Sequence, residues 1–115
     1  MRQIELNEIH WELLAEQDDT PVRGNAICSG DDDYDRQIED EIIERLNNGD
    51  EWAWASVTVR GSWNGIVASE YLGCCSYRDA DDFRNDGGQG YYSDMREAVR
   101  AEIQSLAESI ATAIA

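Results

Sequence analysis

Apolar residues recur along this chain with two periods, and each period predicts a different element. In the C-terminal stretch, Met95, Val99, Ile103, Leu106, Ile110 and Ala113 follow one another at three- and four-residue spacing. That spacing places them on one face of an α-helix and predicts a helix over residues 94–111. Ser93 is positioned as its N-cap, with Asp94 and Glu97 near the positive end of the helix dipole. A narrower stripe, Ile38, Ile42 and Leu46, predicts a second helix over residues 33–47, with Gly49 placed to end it. Winding this segment at about 100° per residue gathers Asp33, Gln37, Asp40 and Glu44 on the side opposite the stripe. Glu39 falls between the stripe and Ile43, so one of those two is expected at the margin of the buried face.

Between the helical stretches the period shortens to two. Residues 52–63 and 66–77 flank Asn64-Gly65, the strongest two-residue hairpin signal. Pairing Trp63 with Ile66 sets Val57 opposite Leu72 and Ala55 opposite Cys74. One face then carries Ala53, Ala55, Val57, Val59, Ile66, Ala68, Leu72 and Cys74, with Glu70 as its misfit. The other carries Trp52, Trp54, Thr58, Arg60, Val67, Tyr71 and Tyr77, an aromatic surface able to invite a partner.

A lone hairpin is marginal, so a third strand is expected. Residues 3–15 are the candidate. Ile4 and Leu6 share one phase and Ile9, Trp11 and Leu13 the other, which implies a bulge near Asn7 or Glu8. A short helix is the alternative reading of that segment. Residues 17–30, which hold the only proline, Pro21, read as connection, and Gly87-Gly88-Gln89-Gly90 reads as a further loop. The expected fold is α+β: a three-stranded antiparallel sheet with two helices on one face, order β-α-β-β-α, in a single domain over residues 1–115.

Charge changes this picture more than composition does. Twenty-five Asp and Glu face nine basic residues, all of them Arg, for a formal net charge of −16. One reading is solubility or a halophilic host. The other is a basic partner surface that normally holds nucleic acid. Direct binding of DNA or RNA is disfavoured, because phosphate recognition needs positive charge. The carboxylates concentrate in two places. The first holds Asp31, Asp32, Asp33, Asp35, Glu39, Asp40, Glu41 and Glu44 against Arg36; the second holds Asp79, Asp81, Asp82 and Asp86. Helical carboxylates four residues apart lie roughly 6 Å from one another, of the order of phosphate spacing on one strand. The candidate partner-binding residues are therefore Asp31, Asp32, Asp33, Asp40, Glu41, Glu44, Asp79, Asp81 and Asp82.

The catalytic inventory is thin. Without Lys there is no Schiff base and no P-loop. His10, the only histidine, has no neighbouring catalytic signature and reads as a structural or surface residue. Asp31, Asp33 and Asp35 begin like a calcium loop, but Arg36 stands where Gly is required and Ile42 where a bidentate Glu is required. No enzyme activity, cofactor or dedicated metal site is expected; these carboxylates read as solvated or partner-facing charges, with weak surface binding of Ca²⁺ or Mg²⁺ as the minor alternative. Cys28, Cys74 and Cys75 are odd in number, and adjacent strand residues point to opposite faces, so they read as reduced core residues of a cytoplasmic protein. No apolar run is long enough to span a membrane, and the N-terminal residues lack a secretory pattern, which makes a soluble chain the expectation.

The run Trp52-Ala53-Trp54-Ala55-Ser56-Val57-Thr58-Val59, then Tyr71-Leu72-Gly73-Cys74-Cys75-Ser76-Tyr77 and Asp81-Asp82-Phe83, resembles small acidic proteins encoded in phage and prophage genomes. The resemblance extends over residues 18–95 and implies a phage-borne accessory protein in a host cytoplasm, without assigned chemistry. By analogy of charge and size alone, it points to DNA-mimicking inhibitors of restriction, CRISPR or repair enzymes. The expected partner is then a basic, nucleic-acid-binding host protein. The alternative is a self-associating module that buries the aromatic face of the hairpin in a homodimer.

Overall fold

Asn64 and Gly65 both take positive φ, 48° and 82°, the left-handed pair that a tight hairpin turn requires. Around that turn the computed structural model, which describes residues 1–85 and 90–114, builds a sheet of three antiparallel strands in the order β1-β2-β3. The elements are β1 (His10–Gln17), α1 (Asp32–Asn47), β2 (Ala55–Trp63), β3 (Ile66–Cys75), α2 (Ala80–Asn85) and α3 (Tyr91–Ile114). The α+β class and the antiparallel sheet are as expected, with the short helix α2 added to the order. Asp86 and residues 87–89 lie outside the described residues.

The hairpin register places Trp63 opposite Ile66 and Val57 opposite Leu72, as the turn predicts. Beyond Leu72 it departs from expectation. Ala55 pairs with Cys75, not Cys74, because β3 carries an extra residue at Gly73-Cys74. Cys74 sits at φ 55°, and the bulge turns it out to solvent while Cys75 turns inward. The expectation that all three thiols are core residues therefore fails for Cys28 and Cys74, which are exposed.

The strand limits are also shorter than expected. Residues 51–53 form a 3-10 turn capped by the Asp50 carboxylate, which accepts from the Trp52 amide at 3.1 Å. Trp52 and Trp54 are thereby removed from strand alternation. Trp54 is buried and donates its indole N–H to the Thr20 carbonyl at 2.7 Å. At the N-terminal end, residues 6–8 form another 3-10 turn, closed by reciprocal Glu5 and Glu8 contacts. This turn is the phase change expected near Asn7, but it shifts the strand to residues 10–17.

One helix covers the sheet. Met95, Val99, Ile103 and Ala107 of α3 are buried against it. Gly61 lets α3 approach β2 closely: a Cβ there would lie 2.8 Å from Ile9 Cγ2 and 2.9 Å from Val99 Cγ1. The helix begins at Tyr91, so Ser93 and Asp94 lie in its first turn, and Ser93 is not the cap that the sequence predicts. The second helix is not on the same face. Ile42 of α1 packs with Val22, Ala53 and Trp54, at the end of the sheet where β2 begins. A stripe of three residues is too narrow to cover a sheet and suffices to close its end. The molecule is accordingly long, 62 Å by 27 Å by 22 Å.

Candidate functional site

The N-terminus of α1 is built by its own acidic residues. Asp31 is the N-cap, and its carboxylate accepts from the amides of Asp33 and Tyr34 at 3.1 and 3.2 Å. The Ser29 hydroxyl donates to Asp35 at 2.6 Å, tying the incoming loop to the first turn. Asp32 and Asp33 remain exposed there, at the end of the helix whose dipole favours negative charge. The C-terminus is closed as Gly49 predicts: it takes φ 85°, its amide donates to the Leu46 carbonyl and the Asp50 amide to the Arg45 carbonyl, both at 3.0 Å.

Glu39 settles the ambiguity of the stripe. It is buried, with 8% exposure, and Ile43 is half-buried beside it. The Gly24 amide donates to Glu39 Oε2 at 2.8 Å, and Arg23 Nη1 donates to Oε1 at 3.1 Å. These contacts, the amide first and the guanidinium second, lower the Glu39 pKa below its ordinary value. The other arm of Arg23 donates to Asp40. Arg23 thus neutralises part of the acidic helix and holds the loop of residues 17–30 to it.

The nine candidate residues separate by these contacts. Asp31 caps α1. Asp40 is paired with Arg23. In the second cluster, Asp79 caps α2 by accepting from the Asp82 amide at 2.9 Å, Asp82 accepts from the Arg78 amide at 2.9 Å, and Asp81 pairs with Arg84 at 2.8 Å. Asp32, Asp33, Glu41 and Glu44 are exposed and enter no ion pair among the described residues. The two clusters are linked where Arg45 Nη2 donates to the Tyr77 carbonyl at 2.6 Å. That contact sets the C-terminal end of α1 beside the segment leading into α2. Asp33 lies eleven residues before Glu44, about 16 Å along the axis.

The expected aromatic face is largely absent. Trp52, Tyr77 and Tyr92 surround the buried Phe83, with ring centroids 5.8, 5.0 and 6.1 Å from it. Tyr71 alone of that aromatic set is strongly exposed, at 72%, with Val67 and Leu14 nearby on the open side of the sheet.

Asp18 is the residue that sequence reading passes over. Its Oδ2 accepts from the Cys74 amide and the Ser56 hydroxyl, both at 2.9 Å, and its Oδ1 accepts from the Thr20 amide at 2.8 Å. The Cys74 amide does most to depress the Asp18 pKa, followed by Thr20. The carboxylate therefore satisfies the donor that the β3 bulge exposes, and reaches across β2 to do so. Gly73 inside a strand pattern is the available signal for that bulge, but nothing local marks Asp18 as its partner.

An open cavity of about 500 Å³ lies between the loop and α1, with Cys28, Asp32, Asp33 and Arg36 among its walls. Among the described residues no group of three His, Cys, Asp or Glu side chains converges to hold a metal ion. His10 is exposed at the start of β1. Among the described residues no helix is long and apolar enough to cross a membrane. The chain matches no protein-family model, no curated protein and no solved structure.

Proposed function

We propose that this chain is a non-catalytic, phage-type accessory protein that binds a basic nucleic-acid-handling host protein and occupies its phosphate-binding surface. One observation carries the reading. α1 packs through Ile38, Ile42 and Leu46 at one end of the sheet, and Asp32, Asp33, Glu41 and Glu44 are left exposed and enter no ion pair among the described residues. Asp33 and Glu44 share the side of the helix opposite the stripe, with Glu41 on its flank, and solvated carboxylates so placed are complementary to a basic groove. Glu41 and Glu44 are the better probes of this surface, because reversing Asp40 would also break its contact with Arg23. The host cytoplasm is the setting this role requires.

Capture from a lysate of the bacterial host, followed by mass spectrometry, tests the proposal. The native chain should retain nucleic-acid-binding proteins and release them when duplex DNA is added. The double variant Glu41→Arg with Glu44→Arg should retain far less. Equal capture by the variant, or indifference of the captured proteins to DNA, would count against it.

A further inference from the structure

The apolar stripe of α3 does not stop where the sheet stops. Met95, Val99, Ile103 and Ala107 are buried, but Leu106, Ile110 and Ile114 are 40%, 51% and 81% exposed. Ile110 and Ile114 continue the line of Val99 and Ile103 at helical spacing and overhang the Asn64-Gly65 turn. Together with Met1, Trp63, Ile66 and Ala107 they line a shallow apolar groove of about 280 Å³.

The surroundings of this overhang indicate its occupant. Between Glu102 and Ile114 the only charged residue is Glu108, whose carboxylate accepts from Gln104 Nε2 at 3.0 Å along the helix surface. In a chain of formal net charge −16, this is a surface where two copies can meet without aligning carboxylates. The open face of the sheet does not offer that, since Glu12 and Glu16 are exposed there on the same side of β1 as Leu14. An anionic membrane surface is also a poor occupant. Helices that lie on such surfaces carry Lys or Arg on the polar side, and these turns of α3 have neither.

We infer that the overhanging turns of α3 form a homodimer interface, two copies crossing antiparallel about a two-fold axis near Ile110. Such a contact is isologous: the Ile110–Ile114 ridge of each copy enters the groove of the other. Ala111 keeps side-chain bulk low where the helices approach. The contact is confined to the last turns of α3 and the shallow groove beside them, so association is weak. It strengthens with salt, because salt screens the repulsion between the copies. The dimer would carry its two acidic α1 surfaces at its far ends. This inference does not depend on the proposed function.

Sedimentation equilibrium from about 10 to about 300 µM tests it, at roughly 0.05 M and 0.5 M salt. The weight-average mass should climb from 13.0 kDa toward twice that value, further at high salt. Ile110→Glu with Ile114→Glu should remain monomeric with an unchanged thermal midpoint, as both side chains lie outside the packed core. Tyr71→Glu, on the open sheet face, should still dimerise. A monomer at every concentration and salt, a dimer that survives the α3 double variant, or one lost only in Tyr71→Glu would each overturn the inference.

Discussion

Helices α1 and α3 are both amphipathic, yet they do different work. α3 lays four buried residues along the sheet and is fitted to it so closely that Gly61 leaves no room for a methyl group. α1 buries Ile42 and Glu39, and it packs against a loop and a 3-10 turn at the end where β2 begins. Where α3 runs past the sheet, the exposed continuation of its stripe is apolar; where α1 stands apart, its exposed side is mostly acidic. A helical stripe therefore says which side is covered, and its width governs how much of the neighbouring structure it can cover. The narrow stripe leaves most of α1 exposed, and the long one leaves an apolar overhang.

The first way to break this contrast is to remove one buried residue from each helix. Ile103→Ala should destabilise the whole domain by about 3–4 kcal/mol, measured by urea unfolding, because it opens a cavity under the helix that closes the sheet. Ile42→Ala should have a smaller effect on the global transition and should loosen α1 first. Amide exchange rising in α1 and β2 together on Ile42→Ala would mean the two helices are not separable in this way.

Next in size is the Asp18 contact. Asp18→Ala strips the Cys74 amide of its acceptor and should cost about 2 kcal/mol. The folded pKa of Asp18 is depressed, so its contribution is full above the unfolded value of about 4 and is lost as pH falls through the lower folded value. The gap in thermal midpoint between the native chain and Asp18→Ala should therefore be constant near neutrality and close at acid pH. A gap that widens as pH falls would reverse the sign expected for a stabilised carboxylate.

Glu39→Gln makes a smaller, local disturbance. The amide keeps the shape of Glu39 but loses the ion pair with Arg23, and its acceptor oxygen can serve only one of the two donors well. Exchange of α1 amides should quicken while β2 is unchanged. Because the Glu39 pKa is lowered in the folded chain, the native chain should show the same loosening of α1 as pH falls below about 4. Smallest of all, Glu41→Arg and Glu44→Arg should each move stability by less than about 0.5 kcal/mol, as exposed residues without ion pairs among the described residues.

These residues also mark how far the sequence could be read. The hairpin turn, the register from Trp63 to Val57, both helix positions and the Gly49 stop follow from local spacing and turn chemistry. What did not follow depends on contacts between distant segments. The position of α1 at the end of the sheet is decided by Val22 and Trp54, which come from a loop and a turn. The inward turn of Trp52 and Tyr77 depends on Phe83, in a short helix that no apolar period in the sequence marks. Among the candidate site residues, solvated carboxylates and helix caps have the same sequence signature. Only the structure separates Asp33, Glu41 and Glu44 from Asp31, Asp79 and Asp82.

If the outer face of α1 is a binding surface, its recognition is electrostatic and salt opposes it. With a captured host protein immobilised, affinity for the native chain should fall steeply as salt rises from about 0.05 to about 0.5 M, since screening weakens recognition between opposite charges. Glu41→Arg with Glu44→Arg should bind weakly at low salt and show a flatter salt dependence. Self-association through α3 runs the opposite way with salt, so the two interfaces cannot be confused. Affinity that is insensitive to salt, or equal for the native chain and the charge-reversed variant, would contradict a binding role for α1.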